Sequence, residues 1–104
     1  MTVVWYSGLR GERGVRVTVE SQGDRGDRNS SQMFGSFDWG QNGQQAVNLA
    51  RAIILHANGD EETAFECGNG FAETVLAEIE DESWTLTRAA VLANVAEIQR
   101  RVAA

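Results

Sequence analysis

Three sets of residues in this sequence could do chemistry. The first is His56 with Cys67, the one histidine and the one cysteine among 104 residues. A thiol beside an imidazole is a nucleophile with its base, provided that the fold brings the two together and a third group orients the imidazole. No such third group stands beside either residue. Cys67 falls on an apolar helical stripe, where a free cysteine acts as a small hydrophobe. His56 falls near a helix end, where an imidazolium suits the dipole. The second set is the corner Gly40-Gln41-Asn42-Gly43, which leads into an apolar helix. Backbone N–H groups at such a corner could face a phosphate or carboxylate, with Asp38 and His56 as acid–base groups. The corner has the shape of a P-loop without its Lys-Ser/Thr pair, and the chain has no lysine at all. That removes both nucleotide hydrolysis of the P-loop kind and Schiff-base chemistry.

The third set is the carboxylates. From Ala52 to Thr87 there is no arginine, yet Asp60, Glu61, Glu62, Glu66, Glu73, Glu78, Glu80, Asp81 and Glu82 all occur there. The runs Asp60-Glu61-Glu62 and Glu80-Asp81-Glu82 lack the alternating oxygen spacing of a calcium loop, and they read as a helix cap and a solvated helix end. A pair of them could in principle serve glycoside hydrolysis, but no aromatic platform for a sugar is legible beside them. No metal site and no cofactor are expected. Carboxylates spaced along helices can instead imitate the phosphates of a duplex and meet an arginine-lined channel. The plainer role of the same charge is solubility.

Totals narrow the options further. One domain's worth of chain can fold without disulfides or metals. A single cysteine excludes an internal disulfide framework and fits a reducing cytoplasm. The opening Met1-Thr2-Val3-Val4-Trp5-Tyr6-Ser7 has no positive region before an apolar one, so it is not read as a signal peptide. Net charge is −6, which argues against direct nucleic-acid binding and against anionic membranes. Five of the nine arginines precede Asp38, so a dipolar molecule is expected.

The elements that must position these groups follow from periodicity. Val3–Ser7 and Val15–Glu20 are β-branched and aromatic, the second alternating, and they predict two strands joined by the glycine-rich loop Gly8–Gly14. Residues 21–32 contain no apolar side chain before Met33 and predict a mobile surface loop. Its Arg25-Gly26-Asp27 carries no weight as an adhesion motif without a sign of secretion. Met33–Trp39 predicts a third antiparallel strand. Val47, Ala50, Ile53, Ile54 and Ala57 form one helical stripe, which Asn58-Gly59 should stop. Asp60 should cap a second helix, with Ala64, Phe65, Phe71, Ala72, Val75, Leu76 and Ile79 on its stripe and a kink or a break at Cys67-Gly68-Asn69-Gly70. Trp84-Thr85-Leu86 reads as extended, a candidate extra strand. Thr87 should cap a last helix that buries Val91, Leu92, Val95, Ile98 and Val102. The prediction is a single α+β domain over residues 1–104: a three-stranded antiparallel sheet in residues 1–39, and three helices from 43 onward packed on one of its faces. Of Trp5, Trp39 and Trp84, Trp39 is the one expected at the surface, as an interface anchor.

These residues also resemble a small bacterial and phage family of unknown function. The likeness rests on Tyr6 with Gly8, Phe37-Asp38-Trp39-Gly40, the helix from Gln44 with Gly59-Asp60 after it, and Trp84-x-Leu86-Thr87. Gln41-Asn42-Gly43-Gln44 departs from that family's usual Gly-Ser-Gly-Pro-like run. The family brings no established reaction, so the resemblance implies fold more than function. In size and charge the chain is also similar to phage-type inhibitors of host defence, including those of CRISPR effectors. The expectation is therefore a non-enzymatic, cytoplasmic interaction protein, monomeric or homodimeric. Its partner would be a protein with a basic surface, such as a CRISPR effector subunit or a nuclease. It would be met by an acidic region (Glu66, Glu73, Glu78, Glu80, Asp81, Glu82) and an aromatic corner (Asp38, Trp39, Gln41, Asn42). The alternative is a small ligand-binding domain or minor enzyme built on the glycine corner.

Overall fold

The computed structural model describes residues 1–103. Strands β1 (Val3–Gly11), β2 (Gly14–Gln22) and β3 (Arg28–Met33) come first, followed by helices α1 (Gln44–Asn58) and α2 (Glu61–Phe71). A wide helical turn, Ala72–Leu76, then strand β4 (Ser83–Thr87) and helix α3 (Arg88–Ala103) complete the chain. The sheet is antiparallel with order β3-β2-β1-β4. The fold is thus α+β with three helices, as expected, but the sheet has four strands and not three.

Two corrections lie behind that count. The segment read as a mobile loop, residues 21–32, instead finishes β2, turns at Gly23–Asp27 and forms β3, whose residues are nearly all exposed. A strand that is wet on both faces needs no apolar alternation, so its sequence carries no strand signal. The segment read as the third strand, Met33–Trp39, leaves the sheet after Met33. Phe37 folds back over Gly35, where a Cβ would lie 2.6 Å from the Phe37 ring, and Phe34 is 84% exposed. The extra strand expected at Trp84–Leu86 is present and pairs with β1 across Tyr6↔Leu86 and Gly8↔Trp84.

One face of the sheet is apolar. Tyr6, Val17, Val19 and Trp84 point into it, with Val4, Val15, Met33 and Leu86 at its margin. Against it lies α1, buried at Ala46, Val47, Leu49, Ala50, Ile53, Ile54 and Ala57. Such a wide buried arc is what a helix shows when it packs on a sheet and on two other helices at once. Gly59 stops α1 in the left-handed conformation (φ 77°), donating its N–H to the Leu55 carbonyl at 2.7 Å. Asp60 then caps α2, accepting from the Glu62 N–H and the Thr63 hydroxyl. The expected break at Gly68 and Gly70 does not occur, because tertiary packing outweighs their poor helix propensity. A Cβ at Gly70 would stand 3.1 Å from Ile98, and one at Gly68 would stand 2.6 Å from Arg51. The irregularity comes later, where Ala77 donates five residues back to Ala72. The Thr87 hydroxyl accepts from the Ala90 N–H and caps α3 as expected. No described helix is long and apolar enough to cross a membrane.

The glycine loop predicted between the first two strands is also shorter than expected, since both strands run on to Gly11 and Gly14. Gly8 is inside β1, and a Cβ there would lie 2.3 Å from Trp84 Nε1. The indole of Trp84 occupies the space that any side chain at position 8 would need. Gly8→Ala is therefore expected to lower unfolding free energy by about 1–3 kcal/mol through overpacking, whereas Gly11→Ala, which meets nothing within 4 Å, should change little. Urea denaturation of the two variants checks this, and equal midpoints would contradict the packing described.

Candidate functional site

The corner before α1 is tied down by one arginine. Arg10 leaves β1 on the helix side, and its Nη2 donates to Asp38 Oδ1 at 2.5 Å and to the Trp39 carbonyl at 2.8 Å. Its Nη1 reaches Glu82 Oε2 at 3.3 Å, and its guanidinium lies 4.6 Å from the Trp39 ring centroid. The Arg10 N–H donates to the Glu82 carbonyl, the Trp39 indole N–H to the Asp81 carbonyl, and the Gly40 N–H to the Leu76 carbonyl. Trp39 and Trp84 meet edge to face with centroids 5.7 Å apart. Gly40 turns here at φ 84°, with the Ile79 carbonyl only 3.1 Å from where a Cβ would be. Four pieces of chain are joined in this way: β1, the corner, the end of the wide turn, and residues 81–84 where the chain enters β4.

This geometry corrects the reading of the aromatic corner. Trp39 is 1% exposed and cannot anchor a partner. Its aromatic surface and its N–H are both used internally, by Arg10, Trp84 and the Asp81 carbonyl. Asp38 is likewise a structural group, its side chain 26% exposed and paired with Arg10. Burial alone would raise its pKa. The hydrogen bonds from Arg10 and from the Trp39 N–H, with the arginine charge, outweigh that and hold the carboxyl below its ordinary value. Gln41 and Asn42 do stand exposed, beside a shallow cleft of about 120 Å³ lined by Asp38, Gln41 and residues 43–46.

His56 and Cys67 are engaged in different places. His56 is exposed and shares a 2.9 Å hydrogen bond through Nδ1 with the hydroxyl of buried Tyr6, the two rings meeting edge to face. Burial raises the Tyr6 pKa, opposed by the charge of Arg88. Cys67 is buried on the core side of α2, where burial first and then the Glu66 charge push its thiol up. That is the opposite of an activated nucleophile. The dyad considered from sequence therefore has neither its geometry nor its electrostatics.

The acidic region is where the structure leaves charge uncompensated. Glu61, Glu62, Glu66, Glu73, Glu78, Glu80 and Asp81 are all exposed, and none has an ion-pair partner among the described residues. Glu82 is the exception, being neutralised in part by Arg10. Glu62, Glu66 and Glu73 follow helical spacing on one stripe. No three histidine, cysteine, aspartate or glutamate residues among those described gather as a metal site would require. The exposed aromatic residue on this face is Phe65, 67% exposed between Glu61, Glu62 and Glu66. The sequence reading placed Phe65 on the buried stripe. Ala64, placed on the same stripe, is buried, but Phe65 is not, and Arg51 of α1 stacks on its ring at 4.7 Å.

Fold and site together describe a small α+β domain with an acidic helical layer. Comparison with known families places it further: the chain belongs to DUF6166, a family of unknown function, which it matches over residues 6–97. The matched span includes Tyr6, the Asp38–Gly40 corner and Trp84–Thr87, the residues on which the resemblance was first read. The match carries no phage or anti-defence assignment. Neither the curated proteins nor the solved structures give a match.

The Arg10–Asp38 pair has a defined pH signature. Because the folded-state pKa of Asp38 is depressed, its contribution is complete above the unfolded value of about 4 and is lost as pH falls through the folded value. Asp38→Asn should cost about 1–3 kcal/mol at pH 7, as expected for charge-assisted hydrogen bonds that are partly buried. The cost should shrink as pH falls below about 4, since the wild type then loses the same charge. Urea unfolding of both proteins from pH 7 to pH 3 measures this, and a penalty that does not depend on pH would contradict it.

Proposed function

We propose that this protein is a non-enzymatic interaction module that presents its acidic helical layer to a basic surface on another protein. The observation that carries the reading is the row of exposed carboxylates from Glu61 to Asp81, none of which has an ion-pair partner among the described residues. A small domain needs some net charge to stay dispersed. Solubility alone, however, does not require that residues 52–87 hold nine carboxylates and no arginine while the first 38 residues hold arginines and carboxylates in equal number. Such separation raises encounter rates with a surface of opposite sign and repels nucleic acid.

The partner class that fits is a protein whose basic groove normally receives a nucleic-acid backbone. A CRISPR effector subunit or another host-defence nuclease is of this class, and the protein would act there as an inhibitor carried by a phage or mobile element. The partner-facing residues are Glu66, Glu73, Glu78, Glu80 and Asp81, with Gln41 and Asn42 at the neighbouring corner. The buried free thiol of Cys67 suits a reducing compartment, and the site of action is the cytoplasm.

The test is affinity capture from a bacterial lysate at low and at high salt, paired with a plasmid-interference assay. Charge reversal at Glu73, Glu78 and Glu80 together is expected to reduce partner retention at least tenfold and to relieve inhibition of interference. Wild-type retention should fall with rising salt. A triple reversal that binds and inhibits like wild type would remove the acidic layer as the interface.

A further inference from the structure

Between α1 and α2 on the outer surface lies a groove of about 260 Å³, lined by Arg51, Ala52 and Leu55 on one wall and Glu61, Ala64 and Phe65 on the other. Each wall shows the three- and four-residue spacing at which helices interdigitate, and the two alanines keep its floor low. Phe65 is 67% exposed and Leu55 39%. Both line the groove, so these two exposed apolar side chains are grouped and not scattered singly.

Arg51 holds this arrangement. Its guanidinium stacks on the Phe65 ring at 4.7 Å, and its Nε is buried without a hydrogen-bond partner. The stem of Arg51 passes over Gly68, where a Cβ would lie 2.6 Å from its Cγ. Around the groove stand Glu61, Glu62 and Glu66, exposed and unpaired among the described residues. Arg51 forms no ion pair with any of them.

Resting on the acidic-layer reading above, we propose that this groove seats an amphipathic helix of the partner protein, with an apolar stripe flanked by lysine or arginine. Both walls are helices whose backbone groups are bonded internally, so an extended segment would find no main chain to pair with. Side-chain anchors at helical spacing must do the binding. The carboxylate rim selects basic flanks and disfavours acidic ones. A second copy of this chain is not the occupant proposed, because it would have to exchange contacts that it already makes. Its basic helix end, Arg100 and Arg101, is already paired with Glu97 at 2.6 and 3.7 Å, and Arg88 donates to the Ala57 carbonyl.

The experiment uses two synthetic peptides of identical Leu/Arg composition, one with leucines at positions i, i+3, i+4 and i+7, the other scrambled to have no apolar face. Binding to the full chain is followed by calorimetry and by amide chemical shifts. The patterned peptide is expected to bind at least tenfold more tightly than the scrambled one and to shift the amides of residues 51–55 and 61–66. Phe65→Ala should remove that preference. So should Gly68→Leu, which displaces Arg51. Equal binding of the two peptides, or a preference that survives Phe65→Ala, overturns the helix-in-groove proposal. Sensitivity to reversal of Glu73, Glu78 and Glu80 would still stand or fall separately as the test of the acidic layer. Concentration-dependent self-association abolished by Phe65→Ala would also overturn the proposal, by making a second copy the occupant.

Discussion

The structure depends on what one guanidinium does at the rim of the sheet. Arg10 is the last inward-pointing residue of β1, at the point where an apolar side chain would have continued the core. In its place a cation lies over Trp39 and beside Asp38, and its own backbone N–H reaches residue 82. A partly buried cation is tolerable only if carboxylate, carbonyl and aromatic face all meet it. Meeting it requires that the corner close over the sheet, that the indole N–H find the Asp81 carbonyl, and that β4 start beside β1. The direction in which α1 leaves the corner and the place where the acidic segment 78–82 is displayed both follow from the same tie.

The carboxylates of the molecule are of two kinds. Asp38 and, in part, Glu82 are consumed by the fold. The carboxylates from Glu61 to Asp81 are not, because no arginine lies between Ala52 and Thr87, and Arg51, which α1 brings onto Phe65, pairs with none of them. An acidic layer that the protein does not neutralise itself is available to another molecule. Phe65 gives that layer an apolar centre, which charge alone lacks, and specificity needs such a centre because electrostatics orients more than it discriminates.

Elements whose burial is one-sided were legible in the sequence. The stripe of α1, the Asp60 cap, the Gly59 stop, the Thr87 cap and the valines of β2 each carry their own local signal. Strand β3 was not legible, because Arg28-Asn29-Ser30-Ser31-Gln32 is polar on both faces and is held only by its pairing with β2. Residues 34–39 misled in the other direction, since their aromatics look like strand but fold onto Gly35 or out to solvent. At the site, the acidic run could be read directly. The burial of Trp39 could not, because it depends on Arg10 and Asp81, each about thirty or more positions away. Phe65 was misplaced because the buried arc of α2 ends at Thr63 and Ala64, which leaves Phe65 outside it under Arg51. The orphan role of Gly68 beneath Arg51 could have been suspected only from a glycine that an otherwise regular helix tolerates.

The most direct measurement of the central claim is hydrogen exchange, resolved by residue, at three N–H groups: the backbone amides of Arg10 and Gly40 and the indole of Trp39. They bond to Glu82, Leu76 and Asp81 respectively. If one guanidinium organises the corner, these three exchange as a single cooperative unit near the global unfolding free energy, and Arg10→Met accelerates all of them together while α3 keeps its protection. Three unrelated rates in the wild type, or a response to Arg10→Met confined to residue 10, would contradict the account.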